Sequence, residues 1–218
     1  MQAVILAAGK GARLRPITNT TPKPLIEVGN IPLIEHALNV LPGTIDEIFI
    51  VVNHLREQII RHLGNQWNNI PIHYTVQEPL SGTAGAVLLL QEQLKGSFLV
   101  MNADDLYAEQ DLEELVRHPR AILIKDDGVR RDAAAQMIDG RFTGLGTGTT
   151  AVCGAYVLDN TFFQARPVEI DVSSYKEIGL PQTLATITDT TMIHAIEATT
   201  WTPIGTPEQL DKANKQYI

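Results

Sequence analysis

Ala3-Val4-Ile5-Leu6-Ala7-Ala8-Gly9-Lys10-Gly11-Ala12-Arg13 changes character part-way along, and that change sets how the rest of the chain is read. Residues 3–8 form a short apolar run rich in branched side chains. Gly9 and Gly11 then interrupt it, the pattern of a buried strand emptying into a glycine loop. Without a Cβ, the backbone at Gly9 and Gly11 can reach positive φ and bring its N–H groups close to an anionic oxygen. Arg13 adds a permanently charged fork of donors, and Lys23 returns a second cation from the proline-bracketed turn Pro22-Lys23-Pro24. Glycine amides, a guanidinium and an ammonium are three kinds of phosphate ligand within one short stretch.

Outward from this loop, residues 32–41 place Leu33, Ile34, Ala37, Leu38 and Leu41 at helical spacing. Residues 47–53 read as a buried strand, and 55–63 recover a helical period that stops at Gly64-Asn65. A strand at 70–76 runs into Gln77-Glu78-Pro79-Leu80-Ser81-Gly82-Thr83-Ala84, which leads into a helix ending near Leu94. A strand at 97–101 ends in Asn102-Ala103-Asp104-Asp105, followed by a helix at 111–116 and a strand at 121–125. This alternation predicts an α/β fold, a Rossmann-like three-layer sandwich whose mixed sheet is mainly parallel with helices on both faces. Ligands of such sheets gather at the carboxyl ends of the strands. The glycine loop, the 77–84 loop and the Asp104-Asp105 pair are therefore expected to face one crevice.

Beyond residue 125 the periodicity fades. Lys125-Asp126-Asp127-Gly128-Val129-Arg130-Arg131-Asp132 reads as a solvated mixed-charge turn, and Thr143-Gly144-Leu145-Gly146-Thr147-Gly148-Thr149-Thr150 as a mobile flap or a plain connector. Residues 151–158 return as a strand, 175–186 read as partly helical, 192–198 as a strand and 207–216 as a closing helix.

A chain of 218 residues with 44% hydrophobic residues is expected to form one domain over residues 1–218. The net charge of -8 argues against a nucleic-acid partner, because such proteins displace counterions with basic surface. No apolar run is long enough to span a bilayer, and the apolar start lacks a basic flank, so the expected address is the cytoplasm with no membrane partner. Cys153 stands alone, which rules out an intrachain disulfide and suggests a buried core thiol. The six histidines are scattered without metal spacing.

A dinucleotide fingerprint would need glycine where this chain has Leu14 and an acid where it has Asn53, and no Walker loop, nucleophile elbow or zinc motif is present. What the opening stretch resembles is the signature of the sugar-1-phosphate nucleotidyltransferases, also called NDP-sugar pyrophosphorylases. It stands here as Leu6-Ala7-Ala8-Gly9-Lys10-Gly11-Ala12-Arg13-Leu14-Arg15-Pro16-Ile17-Thr18 and Pro22-Lys23-Pro24-Leu25. Residues 77–84 resemble the family's base-recognition loop, Asn102-Ala103-Asp104 its Asn-Gly-Asp metal motif, and 201–210 its Trp-x-Asp-x-Gly-Thr-Pro-Glu-x-Leu element.

The resemblance implies attack by an oxygen of a sugar 1-phosphate on the α-phosphorus of a nucleoside triphosphate, with release of pyrophosphate. It implies nucleotide contacts from Leu6, Ala8, Gly9, Gly11, Arg13, Gln77, Gly82 and Thr83. Arg13 would hold the departing pyrophosphate, Lys23 would bridge the α-phosphate and the sugar phosphate, and Asp104 would bind Mg²⁺, with Asp105 the second candidate. Sugar-phosphate contacts are expected from Lys23, Lys176 and Glu177. Residues 1–107 would form the nucleotide- and metal-binding half and 108–218 the sugar-phosphate half.

The chain departs from the family at Pro203, where most members place a metal-binding aspartate, and it lacks the Glu-Lys-Pro sugar element between 125 and 150. The shortened second half resembles that of N-acetylmuramate-1-phosphate uridylyltransferases, and Gln77 together with Leu-Ala-Ala-Gly favours UTP. Two other readings stay open: a catalytically silent nucleotide- or NDP-sugar-binding regulatory subunit, and a transferase acting on a phosphorylated alcohol such as phosphocholine. A homo-oligomer is compatible with each.

Overall fold

The computed structural model describes residues 1–172 and 175–216. In chain order the first half contains β1 (Gln2–Ala7), β2 (Glu27–Val28), β3 (Ile31–Pro32), α1 (Leu33–Asn39), β4 (Glu47–Val52), α2 (Arg56–Leu63), β5 (Gln66–Trp67) and β6 (Ile70–Val76). It continues through α3 (Gly82–Leu88), β7 (Phe98–Asn102), β8 (Asp105–Tyr107) and α4 (Glu109–Leu115). The second half contains β9 (Ala121–Ile138), β10 (Arg141–Leu158), β11 (Glu169–Val172), β12 (Tyr175–Ile178), α5 (Leu180–Ala185), β13 (His194–Glu197), β14 (Trp201–Pro203) and α6 (Pro207–Gln216).

The main sheet has the order β13-β9-β10-β7-β1-β4-β6-β5. Strands β7, β1, β4 and β6 run parallel, whereas β10 runs antiparallel to β7. Successive side chains on a strand point to opposite faces, and the parity of the central strands sorts them into two cores. Ala3, Ile5 and Ala7 join Ile48, Ile50, Val52, Leu99 and Met101 beneath α1, α2 and α4. Val4 and Ala8 join Phe49, Val51, Phe98 and Val100 beneath α3 and α5. Burial of each such branched or aromatic side chain contributes about 1.5–3 kcal/mol, and this is why short runs with no polar face form central strands. The three-layer α/β sandwich with a mixed, mostly parallel sheet is the one its alternation predicts.

Two stretches read as a turn and a connector are instead the arms of one long hairpin, β9 against β10. Register shifts interrupt the pairing: Thr150 faces Asp126, but Gly148 already faces Arg131, so residues between them form a bulge. The bulge is built. Asp127 Oδ1 accepts from Val129 N at 3.0 Å, Arg131 Nη2 donates to Asp127 Oδ1 at 2.9 Å and Oδ2 at 2.7 Å, and Arg131 Nη1 donates to Thr149 O at 2.6 Å. The segment at 175–186 also divides differently, with β12 preceding the short helix α5.

The C-terminal segment does not stay with the second half. Strand β14 pairs antiparallel with β8, aligning Trp201 with Tyr107, Thr202 with Leu106 and Pro203 with Asp105. A third core cluster joins Leu14, Ile26, Val28 and Leu33 to Leu106, Ile204, Leu210 and Ala213. Residues that close the chain are thereby packed against the glycine loop that opens it. Among the described residues, no helix is long and apolar enough to cross a membrane.

Candidate functional site

From β1 the chain moves outward to β4 and β6 and then returns to the other side of β1 as β7. The sheet order reverses there, and the loops leaving β1 and β7 diverge to open a crevice at the strand ends. Backbone geometry prepares the first loop. Gly11 has φ +62°, and a Cβ there would lie 2.8 Å from Thr18 Cγ2 and 3.0 Å from Lys23 Cβ. Thr18 Oγ1 donates to Gly11 O at 2.9 Å, which ties the loop to the turn that carries Lys23. Gly9 differs: its φ is not positive, and a Cβ would meet nothing within 4 Å. Neither backbone strain nor protein packing calls for glycine at position 9. The space it leaves open faces a cavity.

That cavity has a volume of about 330 Å³. Leu6, Ala8, Gly9, Arg13 and Lys23 line one side of it, Gln77, Gly82 and Thr83 another, and Asp104 and Glu177 complete the set of expected residues found there. Gly11 lies behind the lining and positions it. Lys176 is elsewhere: alternation along β12 sends it to the exposed side, where it pairs with Glu169 at 3.1 Å, while its neighbour Glu177 faces the cavity. Lys10, Leu80 and Asn102 also line the cavity and were not singled out. Lys10 stands between the two glycines of the loop, and Asn102 begins the Asn-Ala-Asp motif, so position alone marked both.

The 77–84 loop is held from two directions. Gln77 N donates to Val52 O at 2.9 Å, and Asn53 Nδ2 donates to Gln77 O at 2.5 Å. Gln77 itself is 3% exposed, and its Nε2 donates to Ser81 Oγ at 3.0 Å and Gly82 O at 2.8 Å. Both amide hydrogens are thereby used within the loop, and Oε1 remains as an acceptor. Gly82 has φ +86°, and a Cβ there would lie 2.7 Å from Glu177 Cβ and from Ile178 O. Ile178 N donates to Ser81 O at 2.8 Å, and Leu180 N to Thr83 Oγ1 at 3.0 Å. The β11–β12 hairpin is thus fastened to this loop, and the fastening carries Glu177 into the cavity.

The two adjacent aspartates part company. Asp104 lies in the cavity wall and forms an ion pair with Lys23, with side chains 27% and 12% exposed respectively. Asp105 is turned inward, where its Oδ2 accepts from Asn102 Nδ2 at 3.3 Å and Trp201 Nε1 at 3.3 Å. Burial, and then the neighbouring charge of Asp104, push the Asp105 carboxyl up to about 7, against the opposing pull of Lys23 and of its hydrogen bonds. Pro203 faces Asp105 across the β8–β14 pair and brings no side-chain ligand. Among the described residues, no group of three or more His, Cys, Asp or Glu is placed to hold a metal. The Asp104 carboxylate in the cavity wall is compatible with Mg²⁺, which keeps several waters and is bound through one or two carboxylates together with substrate phosphates.

Arg13 reaches the cavity from the short turn Ala12–Leu14, and its guanidinium lies against Gly205. Cys153 is buried, and burial pushes its thiol well above the ordinary range, as suits a core residue.

A cavity floored by strand ends, with glycine, cation and carboxylate arranged around it, invites comparison with known proteins. The family model for nucleotidyl transferases matches residues 2–125, more than half of the chain and every element of the cavity except Glu177. The chain belongs to the nucleotidyl transferase family. It is 30% identical over 229 residues to the bifunctional protein GlmU of Methanococcus maripaludis, covering 100% of this chain and 54% of that protein. It is 35% identical over 121 residues to the UTP–glucose-1-phosphate uridylyltransferase AglF of Haloferax volcanii, covering 55% of this chain and 49% of that one. The chain spans about half the length of the GlmU relatives it matches. Its fold is also that of a Bacillus anthracis protein described as a glucose-1-phosphate thymidylyltransferase, with a TM-score of 0.84 at 24% identity over 100% of this chain and 95% of that structure.

Proposed function

We propose that this nucleotidyl transferase moves a nucleotidyl group from a nucleoside triphosphate, UTP favoured, to a sugar 1-phosphate, giving an NDP-sugar and pyrophosphate with Mg²⁺ as cofactor. The observation that carries the reading is the meeting of Lys23 and Asp104 in one cavity with Gly9 and Arg13, at the point where the sheet order reverses. The nucleophile is an anionic phosphate oxygen, so it needs no general base. It forms a bond to the α-phosphorus as the α–β bridging bond breaks, and the electron pair leaves with pyrophosphate. The difficulty is bringing anions together, and catalysis is positioning and charge neutralisation.

Each residue has a role on this reading. The open space at Gly9 lets the triphosphate approach the main chain. Arg13 holds the leaving pyrophosphate with its fork of donors. Lys23 sits where the α-phosphate and the sugar phosphate meet and counters the charge that builds in the transition state. Asp104 would hold Mg²⁺, which when bound draws off charge from the α-phosphate oxygens. Glu177 offers acceptors to sugar or ribose hydroxyls. Gln77 Oε1 offers an acceptor to the Watson–Crick-edge ring N–H of uracil, thymine or guanine. AglF, which is named for UTP and glucose 1-phosphate, favours uracil among these.

The test is pyrophosphate release measured over UTP, dTTP, GTP and CTP, each against a set of sugar 1-phosphates and phosphocholine, with and without Mg²⁺. Release with UTP, a sugar 1-phosphate and Mg²⁺ is expected. Silence throughout, alongside tight nucleotide binding indifferent to Mg²⁺, would overturn the reading in favour of a regulatory subunit; turnover with phosphocholine alone would replace the acceptor.

A further inference from the structure

Gly205 lies just past β14, and nothing in its backbone requires glycine. Its φ is outside the left-handed region that the chain's strained glycines occupy. It is buried, its N–H donates to Gln209 Oε1 at 2.8 Å, and the preceding Ile204 is fully buried in the cluster that also holds Leu14. The same small core thus roots both Gly205 and the residue next to Arg13. A Cβ built on Gly205 would stand 2.9 Å from Arg13 Nη2 and 3.2 Å from Arg13 Cζ, with Gln209 Oε1 also at 3.2 Å. What position 205 needs is the absence of a side chain beside the Arg13 guanidinium.

We propose that Gly205 is a positioning residue for Arg13: its bare Cα forms the back wall against which the guanidinium lies, and this wall aims the fork into the cavity. The inference rests on the reading of Arg13 as a phosphate ligand and deepens it. It also gives the C-terminal segment a part in the nucleotide site, although Gly205 and Arg13 lie 192 positions apart in the sequence.

The nature of the contacts decides what a substitution does. At Gly82 an added methyl would strike main chain as well as side chain and meet a positive φ, so the fold would suffer. At Gly205 the three atoms nearest the added methyl are all at the far ends of two flexible side chains. The fold absorbs it, and the displacement falls on the arginine. Phosphate recognition by a guanidinium depends on planar, bidentate geometry, so a shifted fork loses affinity while the protein keeps its stability.

The experiment is calorimetric titration of inorganic pyrophosphate into the wild type, Gly205→Ala, Arg13→Lys and the double variant, with melting curves and steady-state kinetics alongside. Gly205→Ala is expected to weaken pyrophosphate about tenfold and to raise KM for the triphosphate more than it lowers kcat, with Tm shifted by no more than about 2 °C. In the Arg13→Lys background, where no fork presses on position 205, the same substitution is expected to change affinity less than about twofold, the non-additivity of residues in contact. Equal loss in both backgrounds, or no loss in either, overturns the proposal and leaves Arg13's own role intact. A wild type that binds no pyrophosphate removes the role of Arg13 and the proposal with it. Should Gly205→Ala fail to fold, Gln209→Ala gives a second reading, because it removes the acceptor that fixes Gly205 N–H; it is expected to weaken pyrophosphate in the same sense, again only when Arg13 is present.

Discussion

The two sides of the main sheet follow different rules. On one side β7, β1, β4 and β6 are parallel, the central β7, β1 and β4 buried on both faces, and they end in loops that carry glycine, cations and a carboxylate. On the other, β9 and β10 form a long bulged hairpin whose charges, Asp127 and Arg131, satisfy each other. Among the described residues, Glu177 is the only one beyond residue 107 that lines the cavity. The difference teaches where chemistry and selectivity reside. On the proposed function, the nucleotide chemistry would be served by the first sheet edge, and the acceptor would be chosen by later segments that contribute few side chains.

The comparison breaks most easily at its charged pair. Lys23→Ala and Asp104→Asn are each expected to lower kcat/KM about a thousandfold, the scale of removing one preorganised electrostatic contact, whereas Arg131→Ala in the hairpin is expected to leave it within about threefold and to cost about 1 kcal/mol in denaturant unfolding. Comparable activity losses on both sides would erase the distinction.

Glycine supplies the next test, about a hundredfold in size. Gly9→Ala fills space that only a ligand would use, and its expected loss is in triphosphate affinity by about 2–3 kcal/mol, with an unchanged melting curve. Gly82→Ala is expected to do the reverse, destabilising the fold by more than about 1 kcal/mol before any binding is measured.

A smaller effect, about tenfold, separates the neighbours on β12. Glu177→Gln is expected to raise KM for the sugar phosphate or the nucleotide about tenfold, and Lys176→Ala to change neither, since its partner is the exposed Glu169. The smallest concerns the pair itself. Lys23 and Asp104 satisfy each other, so Lys23→Met, although inactive, is expected to bind Mn²⁺ without nucleotide about fivefold more tightly than the wild type, because a competing cation is gone. Weaker Mn²⁺ binding would mean that Lys23 does not compete for the carboxylate.

The first half of the fold was legible because its parallel strands are short, the central ones apolar on both faces, and are separated by segments bearing glycine or proline. The outer part of the hairpin was not, although the apolar runs at 121–125 and 151–158 read as strands, because between them the arms alternate threonine, glycine, alanine and charge with no apolar stripe, and pairing across the strands holds them. The site was readable wherever one contiguous motif held it, as with Gly9, Arg13 and Lys23. Asp104 and Asp105 were inseparable in sequence because their division depends on β14 pairing with β8 and on Trp201 reaching Asp105. Lys176 and Glu177, expected together as sugar-phosphate contacts, divide because β12 is a strand whose neighbouring side chains face opposite sides. Gly205 stands in the sequence as the glycine of the Trp-x-Asp-x-Gly-Thr-Pro-Glu-x-Leu resemblance, but what it touches is not legible there: Arg13 arrives beside it from the far end of the chain.

The central claim is direct transfer of a nucleotidyl group to a phosphate oxygen of the acceptor. The measurement closest to it is mass spectrometry of the products formed from UTP and a sugar 1-phosphate carrying oxygen-18 in its phosphate. The account predicts an NDP-sugar that retains every labelled oxygen and a pyrophosphate that carries none. Unlabelled UMP formed with the sugar 1-phosphate unchanged, or label in the pyrophosphate, would contradict it.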